Sequence, residues 1–530
     1  MRLTELRLSP DLLPWRQEVR EFLAAEMAPE KVAGHVDPTD LTGLDLEFEQ
    51  RHQREAARRG LLAVSLPEAD GGRGCSRAWK HVYDLEAAYH GAPSIDTGVT
   101  LCGYVLSQFG SPAQKARWLA PMVSGEMLGA IAYSEAGAGN SLAAITTTGV
   151  RSSDGWDLSG TKSHITGAHK ADLAVVLAVT DLEENARSAM TMFLVPLDAP
   201  GVEVKRRSTI NHWTLCDISL NQVRLGDDSV LGEVGQGWSQ VMAAVAAERE
   251  SLAHYGWAEL WLQRLPAAIP SWERSRLHAA AARVRAFCQR LIDYEETGQT
   301  VDYQASVVKV TSTELLQSIA RKARTWAEPG ETDWTAMFDQ GPTYTYDALE
   351  AIHPSISVGA NETHRDMIAT ALLDSDLSVS PPLPNVADDP VLAACVEMSA
   401  DARQLLARTA RHALHRPLYG RQVQDFQAAR HRFVDMAIAV EAMELTATEA
   451  AHSPTGVARD YLVSAAKVTG NEALLDVIAG AHQLHGADGY YEDHFLAPFA
   501  LRAWSAQSRG GTSAEHLERL ARLTALQTDH

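Results

Sequence analysis

The chain has 530 residues, 45% hydrophobic and 22% charged, which is the composition of an ordinary globular protein with several domains. A formal net charge of −21 argues against nucleic acid or an anionic membrane surface as the main partner. The five dispersed cysteines suggest neither a disulfide framework nor a metal site. No apolar run is long enough for a membrane span or a signal-peptide core. We therefore expect a cytoplasmic protein without membrane insertion.

Residues 1–127 show the spacing of amphipathic helices. Ser9-Pro10-Asp11 is a typical helix start, and the following segment to Leu23 repeats apolar residues at helical intervals. Glycine-rich or proline-containing breaks at 67–74 and 110–115 interrupt the helical pattern. We predict an N-terminal helical domain over residues 1–127.

Residues 128–233 change to the pattern of β-strands. The segments Leu173–Val179 and Met190–Val195 are short apolar runs bounded by turn residues. They predict a small β-domain between two mainly helical parts. From residue 234 onward the chain is almost all helical in pattern, except for a proline-rich acidic linker at 376–390.

Two segments of the β-domain could lie against a flat ring or a phosphate. The first runs from Tyr133 to Ser141, where a short strand ends in a loop of small residues that lets backbone N–H groups approach a ligand closely. The second runs from Gly160 to Thr166, where hydroxyl side chains alternate with larger ones on a β-like segment.

Together these segments resemble the middle domain of the acyl-CoA dehydrogenase family, which shows Leu-Thr-Glu-Pro-x-Ala-Gly-Ser-Asp and Gly-x-Lys-x-Trp-Ile-Thr. The residues kept are Glu135, Ala138, Gly139, Gly160, Lys162, Ile165 and Thr166. The chain departs from the motifs with Ser134 for threonine, with Asn140-Ser141 for Ser-Asp, and with His164 for the tryptophan on the flavin face. The resemblance implies a barrel-like middle domain and FAD as cofactor, and it assigns flavin contacts to Tyr133, Ser134, Gly139, Asn140, His164 and Thr166.

The same resemblance extends over essentially the whole chain, but the helical part is too long for one C-terminal domain of this family. A segment ending in the loop 356–365 resembles one such domain, and a second follows the linker, with Gln483–Tyr490 and 510–515 near its end. We therefore predict an internal duplication, with a first helical bundle at 234–375 and a second at 391–530.

The family oxidises a fatty-acyl thioester to its α,β-enoyl form: a carboxylate removes the α-proton and flavin N5 accepts hydride from Cβ. Most members carry the base in a C-terminal Tyr-Glu-Gly-Thr loop, but neither copy here has a carboxylate at that position. A minority, acting on branched, long or steroid-like chains, takes it from the first C-terminal helix as Glu-Arg. The matching residue here is Glu248, and the alternative is that this is an exposed helix-surface charge.

The second copy resembles the part of the family that holds the FAD pyrophosphate and adenosine. An arginine suits that task because its planar fork pairs with phosphate. The residues implied in the second copy are Arg416, Tyr419, Gln427, Gln483, Leu484 and Gly486. The first copy lacks these segments, so the first copy is predicted to be catalytic and the second to clamp the cofactor.

The implied function is FAD-dependent dehydrogenation of a bulky acyl thioester, in which CoA or an acyl-carrier protein carries the acyl group. Gly167–Asp172 resembles members that act on steroid side chains. The alternatives are a same-fold flavin-dependent monooxygenase and a flavin-free, non-catalytic partner subunit. The resemblance also implies an electron-transfer flavoprotein or similar acceptor, and a homodimer whose four helical domains form a pseudo-tetrameric core.

Overall fold

The computed structural model describes residues 5–35, 37, 44–93, 96–139, 141–181, 189–211, 213–248, 252–299, 303–332, 343–373, 375, 377, 384–386 and 388–528. The chain divides into two compact units, which are described separately. The α/β unit comprises Leu8–Trp257 and Asp333–His353, and the helical unit comprises Met1–Arg7, Ala258–Thr332 and Pro354–His530.

The α/β unit begins with the helices that the apolar spacing predicts. Its α-helices are Leu12–Glu26, Pro29–Val32, Leu46–Arg58, Arg77–Tyr89, Tyr104–Phe109, Pro112–Gln114, Ala120–Val123, Gly237–Glu248 and Tyr344–Glu350, with π-helical turns at Asp96–Gly103 and Lys115–Leu119. The first of these helices buries Trp15, Val19 and Phe22, which lie three or four residues apart and therefore share one face.

The described residues of the middle region form an eight-stranded mixed sheet. Its strands are β1 Gly129–Ala132, β2 Thr148–Ser152, β3 Gly155–Thr166, β4 Leu173–Val179, β5 Met190–Pro196, β6 Val202–Ser208, β7 Thr214–Leu225 and β8 Val230–Leu231. The order is β6-β7-β3-β2-β4-β5-β8, and β1 pairs with β4 in parallel. This confirms the prediction of a central β-region between helical parts.

Strand β4 separates two hydrophobic cores, one on each face of the sheet. Leu173, Val175 and Leu177 belong to a core shared with the N-terminal helices, whereas Val176 and Ala178 belong to a core shared with β3 and β7. Because side chains alternate along a strand, a strand covered on both faces needs apolar residues at every position. The uninterrupted apolar sequence of β4 reflects this double burial.

The helical unit is built from long helices. They are Ser271–Thr297, Gln304–Trp326, Asn361–Leu373, Pro390–His415, Gln427–His452, Val457–His485, Leu496–Ala506 and Ser513–Thr528; a short hairpin pairs Pro417–Leu418 with Arg421–Gln422. Pro390, predicted as the end of the linker, is the first residue of a helix. Proline is well tolerated there, and the Asp389 side chain caps the helix by accepting hydrogen bonds from the N–H groups of Val391 and Leu392 at 3.1 Å. Most of the rest of the predicted linker lies outside the described residues.

Two loops of the helical unit have the same local structure. In one, Val358 and Gly359 adopt positive φ angles of 55° and 83°, and His364 Nε2 lies 3.0 Å from the carbonyl oxygen of Val358. In the other, the corresponding angles are 75° and 103° at Gly510 and Gly511. There the Nε2 atom of His516 lies 2.8 Å from the carbonyl oxygen of Gly510.

A buried lysine on a preceding helix accompanies each loop. Lys309 Nζ donates to the carbonyl oxygen of Gly359 at 2.7 Å, and Lys467 Nζ donates to the carbonyl oxygen of Ala506 at 3.2 Å. The sequence around each lysine is similar, Ser-Val-Val-Lys-Val-Thr at 306–311 and Ser-Ala-Ala-Lys-Val-Thr at 464–469.

Over the described ranges of the chain, no helix combines the length and the apolarity that a bilayer crossing requires.

Candidate cofactor-binding and active site

The carboxylate of Glu135 organises the first predicted flavin segment. It is buried, and it accepts hydrogen bonds from the N–H of Thr146 at 2.7 Å and from the N–H of Thr147 at 2.9 Å. The Nζ atom of Lys162 donates to it at 2.8 Å, and that side chain is completely buried. Glu135 and Lys162 belong to different motifs, so this ion pair joins the two predicted flavin segments.

The charge state of the pair follows from these contacts. Burial alone would raise the pKa of Glu135, but the hydrogen bonds from Lys162, Thr147 and Thr146 outweigh it and hold the pKa at about 2. Burial acts in the opposite sense on Lys162, whose pKa it lowers to about 8 despite the adjacent carboxylate. Both groups are therefore mainly charged at neutral pH. A second link, from the N–H of Ser163 to the carbonyl oxygen of Ser134 at 2.9 Å, places the two segments side by side.

His164 stands at an irregularity of strand β3. The register between β3 and β7 shifts between Lys162 and Ile165, and His164 adopts a φ of 63° with an exposed side chain. A non-glycine residue with positive φ is uncommon and costs backbone energy. Bulges of this kind redirect side chains and are over-represented next to active sites. The bulge presents His164 outward between two buried neighbours.

The other predicted residues of these segments differ in what they can offer a cofactor. Tyr133 has a buried side chain whose hydroxyl lies 3.9 Å from Met192 Sδ, and its carbonyl oxygen accepts a hydrogen bond from Lys162 Nζ at 3.3 Å. Ser134 and Gly139 are exposed, and Thr166 is half-buried. Asn140 lies outside the described residues.

Thr147 lies outside both motifs, yet it shapes the site. A Cβ atom added to Gly160 would lie 2.5 Å from Thr147 Oγ1, so only glycine fits where β3 passes this threonine. Gly160 could be recognised from the sequence motif, but its contact with Thr147 could not.

Glu248, the predicted base, is the last residue of the helix Gly237–Glu248. Its side chain falls outside the described part of the chain. The helix belongs to the α/β unit and packs next to β5, because Gly237 lies against the backbone of Met190 and leaves no room for a side chain.

In the helical unit, one ion pair joins Arg416 to the segment that follows Gln483, Leu484 and Gly486. Arg416 follows the helix Pro390–His415, and its Nη1 lies 3.4 Å from Asp488 Oδ2. Asp488 comes shortly after the helix that carries Gln483 and Leu484 and ends before Gly486, which has a φ of 67°. Gln483 and Gly486 are exposed, and Leu484 is half-buried. The role of Asp488 as a partner of Arg416 was not predicted.

Two further predicted clamp residues lie in different settings. Tyr419 sits at the turn of the hairpin with a φ of 49° and a 91% exposed side chain. Gln427 is the first residue of a helix, and its Nε2 donates to Asp366 Oδ2 at 3.1 Å. The amide of Gln427 is thus engaged by the helix Asn361–Leu373 rather than by the Arg416–Asp488 pair.

The residues of the α/β unit fit a flavin. The turn at 136–139 is largely exposed, and Gly137 and Gly139 have open space where a side chain would be. The lack of side chains at these two glycines lets a polar ring system approach the main chain closely. At the adjacent bulge the imidazole of His164 is exposed. The buried Glu135–Lys162 ion pair holds the two segments together.

Three domain descriptions of one family match the sequence. They are the N-terminal domain of acyl-CoA dehydrogenase at residues 9–126, the middle domain at 130–223 and the C-terminal domain at 392–524. The C-terminal match covers the second predicted bundle.

Curated relatives match parts of the chain. Acyl-CoA dehydrogenase IpdE1 of Mycobacterium tuberculosis is 33% identical over 45% of this chain and 63% of its own length. The human mitochondrial short-chain specific acyl-CoA dehydrogenase is 33% identical over 45% of this chain and 57% of its own. These matches span less than two thirds of either relative. IpdE1 of Mycolicibacterium smegmatis is 28% identical over 68% of this chain and 96% of its own length.

Solved structures show the same fold. An acyl-CoA dehydrogenase from Bacillus anthracis complexed with FAD matches with a TM-score of 0.79 and 17% identity, over 99% of this chain and 97% of that chain. A structure described as the Tcur3481-Tcur3483 steroid ACAD has a TM-score of 0.62 and 22% identity, over 71% of this chain and 99% of that chain. With the three domain matches in chain order, these findings show that the chain belongs to the acyl-CoA dehydrogenase family, whose cofactor is FAD.

Proposed function

We propose that this protein is an oxidoreductase that introduces an α,β double bond into a bulky acyl thioester carried on CoA or an acyl-carrier protein. The observation that carries the proposal is the buried Glu135–Lys162 pair, which joins the two flavin-facing segments. A site that must hold a flat cofactor against a substrate needs such rigid support.

The chain's own residues divide the work of this reaction. When bound, FAD supplies the oxidation by taking the hydride from the β-carbon. Glu248 takes the proton from the α-carbon as general base. Ser134, His164 and Thr166 orient the ring from the α/β unit, and Arg416 with Gln483 holds the pyrophosphate and adenosine. The electrons then pass to an electron-transfer flavoprotein or a similar acceptor.

Anaerobic titration of the purified protein with acyl-CoAs, from short chains to fused-ring acyl groups, tests this function. We expect a yellow protein whose flavin absorbance is bleached best by bulky thioesters. A colourless protein would favour the non-catalytic subunit. A flavin that no acyl-CoA bleaches, but that turns over with a reductant and O₂, would favour the monooxygenase.

Replacing Arg416 with alanine should weaken FAD binding by roughly 10- to 100-fold, because a charge-assisted hydrogen bond to phosphate contributes about 1.5–3 kcal/mol. The fold should remain intact, since the lost ion pair with Asp488 is about half exposed on both sides and such pairs contribute little. FAD remaining after dialysis measures the effect. Arg421→Ala, in the same hairpin and also exposed, is the control. Equal FAD retention in both variants would remove Arg416 from the clamp.

We further propose that the helical part arose by duplication and that two chains assemble as a dimer. The matching loops at Val358–His364 and Gly510–His516, each with its buried lysine, support two related domains per chain. Two chains would supply the four helical domains of the family's tetrameric core with closed two-fold symmetry.

Light scattering with flavin quantification tests this assembly. We expect the mass of two chains and one FAD per chain, because each chain has one β-region to hold a ring. A mass of four chains, or a flavin-to-chain ratio near one half, would contradict the dimer.

A further inference from the structure

A cluster of three histidines lies at the end of the helix Val457–His485 in the helical unit. The rings of His412 and His485 are stacked, with their centroids 4.0 Å apart and their planes inclined by 29°. The ring of His494 lies edge-on to His485, with the centroids 5.1 Å apart. Because His412 belongs to the last turn of the helix Pro390–His415, the cluster joins the ends of two long helices.

The cluster is in direct contact with the segment assigned above to the cofactor clamp. His485 stands between Leu484 and Gly486 in the chain. The ring of His412 forms a hydrogen bond to the backbone of Leu484. Arg416 follows His412 by four residues, about one helical turn. The stack therefore fixes the position of Leu484 and its neighbours relative to Arg416.

His485 is an unusual residue for a position inside a stack of rings. It is 5% exposed, and within the described part of the chain neither of its ring nitrogens has a hydrogen-bond partner. Leaving a buried polar group without a partner costs about 1–3 kcal/mol. A phenyl ring could occupy the same position without that cost. Packing alone therefore does not account for an imidazole here.

The surroundings of the two stacked rings favour their neutral forms. Burial is the main cause that lowers the pKa of His485, to about 4. Burial also lowers the pKa of His412, although the hydrogen bond to the backbone acts in the opposite sense. The titratable or charged groups around the two rings are His482, Asp488, His494, Arg416 and, over the adjacent ring of Phe495, Arg408. Of these, only the carboxylate of Asp488 favours a charged imidazole.

The third ring of the cluster also depends on a neutral imidazole. Nδ1 of His494 accepts a hydrogen bond from the N–H of Leu496, the first residue of the helix Leu496–Ala506, at 3.3 Å. An imidazolium carries a proton on both nitrogens and cannot accept this bond. Acid would thus remove a contact at His494 and add repulsion within the stack.

We propose that the cluster of His412, His485 and His494 positions the cofactor clamp and makes the binding of FAD dependent on pH. With neutral rings, the stack holds the segment Gln483–Gly486 beside Arg416. Protonation favours an open arrangement in which the clamp residues are no longer held together, and FAD is released. His485 is a positioning residue, because it acts through its neighbours. The proposal rests on the proposed role of the second copy as FAD clamp and adds a means of regulation to it.

The direction and the range of the pH effect follow from linkage. In the closed cluster the pKa of His485 is about 4, whereas an open cluster would return it towards the ordinary value of 6.5. Because the open form binds the proton more tightly, acid shifts the population towards it. The closed form holds FAD, so the affinity for FAD should fall as the pH decreases from about 6.5 to about 4.

The test measures how fast FAD leaves the holoenzyme, from the rise of flavin fluorescence after dilution into buffers of decreasing pH. For the wild type we expect the rate to rise by roughly 10- to 100-fold between about pH 7.5 and about pH 4.5. His485→Phe keeps a ring in the stack but cannot take up a proton. It should release FAD within about 3-fold of the wild-type rate at neutral pH, and acid should accelerate this release by less than about 3-fold.

Two further variants separate the role of the ring from that of its proton. His485→Ala removes the ring and should release FAD roughly 10-fold faster than the wild type already at neutral pH, because the clamp segment loses its support. His278→Phe is the matched control. His278 lies in the same helical unit, and burial lowers its pKa to about 4 as well, but it is not a member of the cluster. His278→Phe should keep the wild-type pH dependence of FAD release, and circular dichroism at each pH confirms that the variants remain folded.

The outcomes for the two proposals are distinct. An equal acceleration by acid in the wild type and in His485→Phe would overturn the pH role of the cluster. A wild-type rate in His485→Ala at neutral pH would overturn its positioning role. If acid releases FAD through His485 while Arg416→Ala retains FAD as the wild type does, the cluster is supported and the assignment of Arg416 to the clamp fails.

Discussion

Replacing Glu248 with glutamine should leave FAD bound and lower the rate of flavin reduction by acyl thioester by roughly 10²- to 10⁴-fold. The reason is that a positioned general base contributes about that factor, and glutamine keeps the shape of the side chain but cannot accept the α-proton. Stopped-flow measurement of flavin bleaching isolates this step from electron transfer to the acceptor. Because substrate binding does not require the proton acceptor, the Kd for the thioester should change little.

A matched control is Glu233→Gln, an exposed glutamate just before the helix Gly237–Glu248. It should reduce its flavin at the wild-type rate. If Glu248→Gln also turns over within tenfold of the wild type, the base lies elsewhere and the assignment of the first copy as catalytic fails.

Replacing Lys162 with methionine should destabilise the α/β unit by about 3–5 kcal/mol, because it leaves the carboxylate of Glu135 buried without its counter-charge. We expect the thermal midpoint of that unit to fall by roughly 5–15 °C. FAD occupancy should fall with it, since the pair joins the two flavin-facing segments. Differential scanning calorimetry with flavin quantification measures both effects.

Two comparisons make this expectation specific. Lys205→Met removes an exposed lysine from strand β6 of the same sheet and should change the midpoint little. The double variant Glu135→Gln/Lys162→Met removes both charges and should recover part of the lost stability. If Lys162→Met behaves like Lys205→Met, the buried pair does not hold the site together.

The pH dependence of stability provides an independent check on Glu135. Its pKa in the folded protein is about 2, below the usual value of 4.5. A carboxylate of this kind contributes stability above about pH 4.5, and the contribution is lost as the pH falls towards 2. In Glu135→Gln that part of the acid dependence should be absent.

Much of the fold could be predicted from local patterns. The apolar run of β4 indicated a buried strand, and the proline and glycine breaks located the ends of helices. Local patterns predicted the linker less well. Pro390 was predicted to end the linker, but it is the first residue of a helix, because the side chain of Asp389 caps the helix at this point.

The site was predictable in composition but not in geometry. Glu135 and Lys162 were recognised as motif residues, yet their pairing across 27 positions depends on how strands β1 and β3 are brought together. The outward turn of His164 depends on a register shift against β7 that no single residue encodes. The inward side chain of Tyr133 likewise follows from the core on its side of the sheet.

The most direct test of the proposed chemistry is analysis of the thioester after anaerobic incubation with the FAD-loaded protein. A substrate labelled with deuterium at the α- and β-carbons should yield a thioester that has lost one deuterium from each and gained a double bond between them, in step with flavin bleaching. Recovery of the thioester with every deuterium in place, while the flavin stays oxidised, would contradict the account.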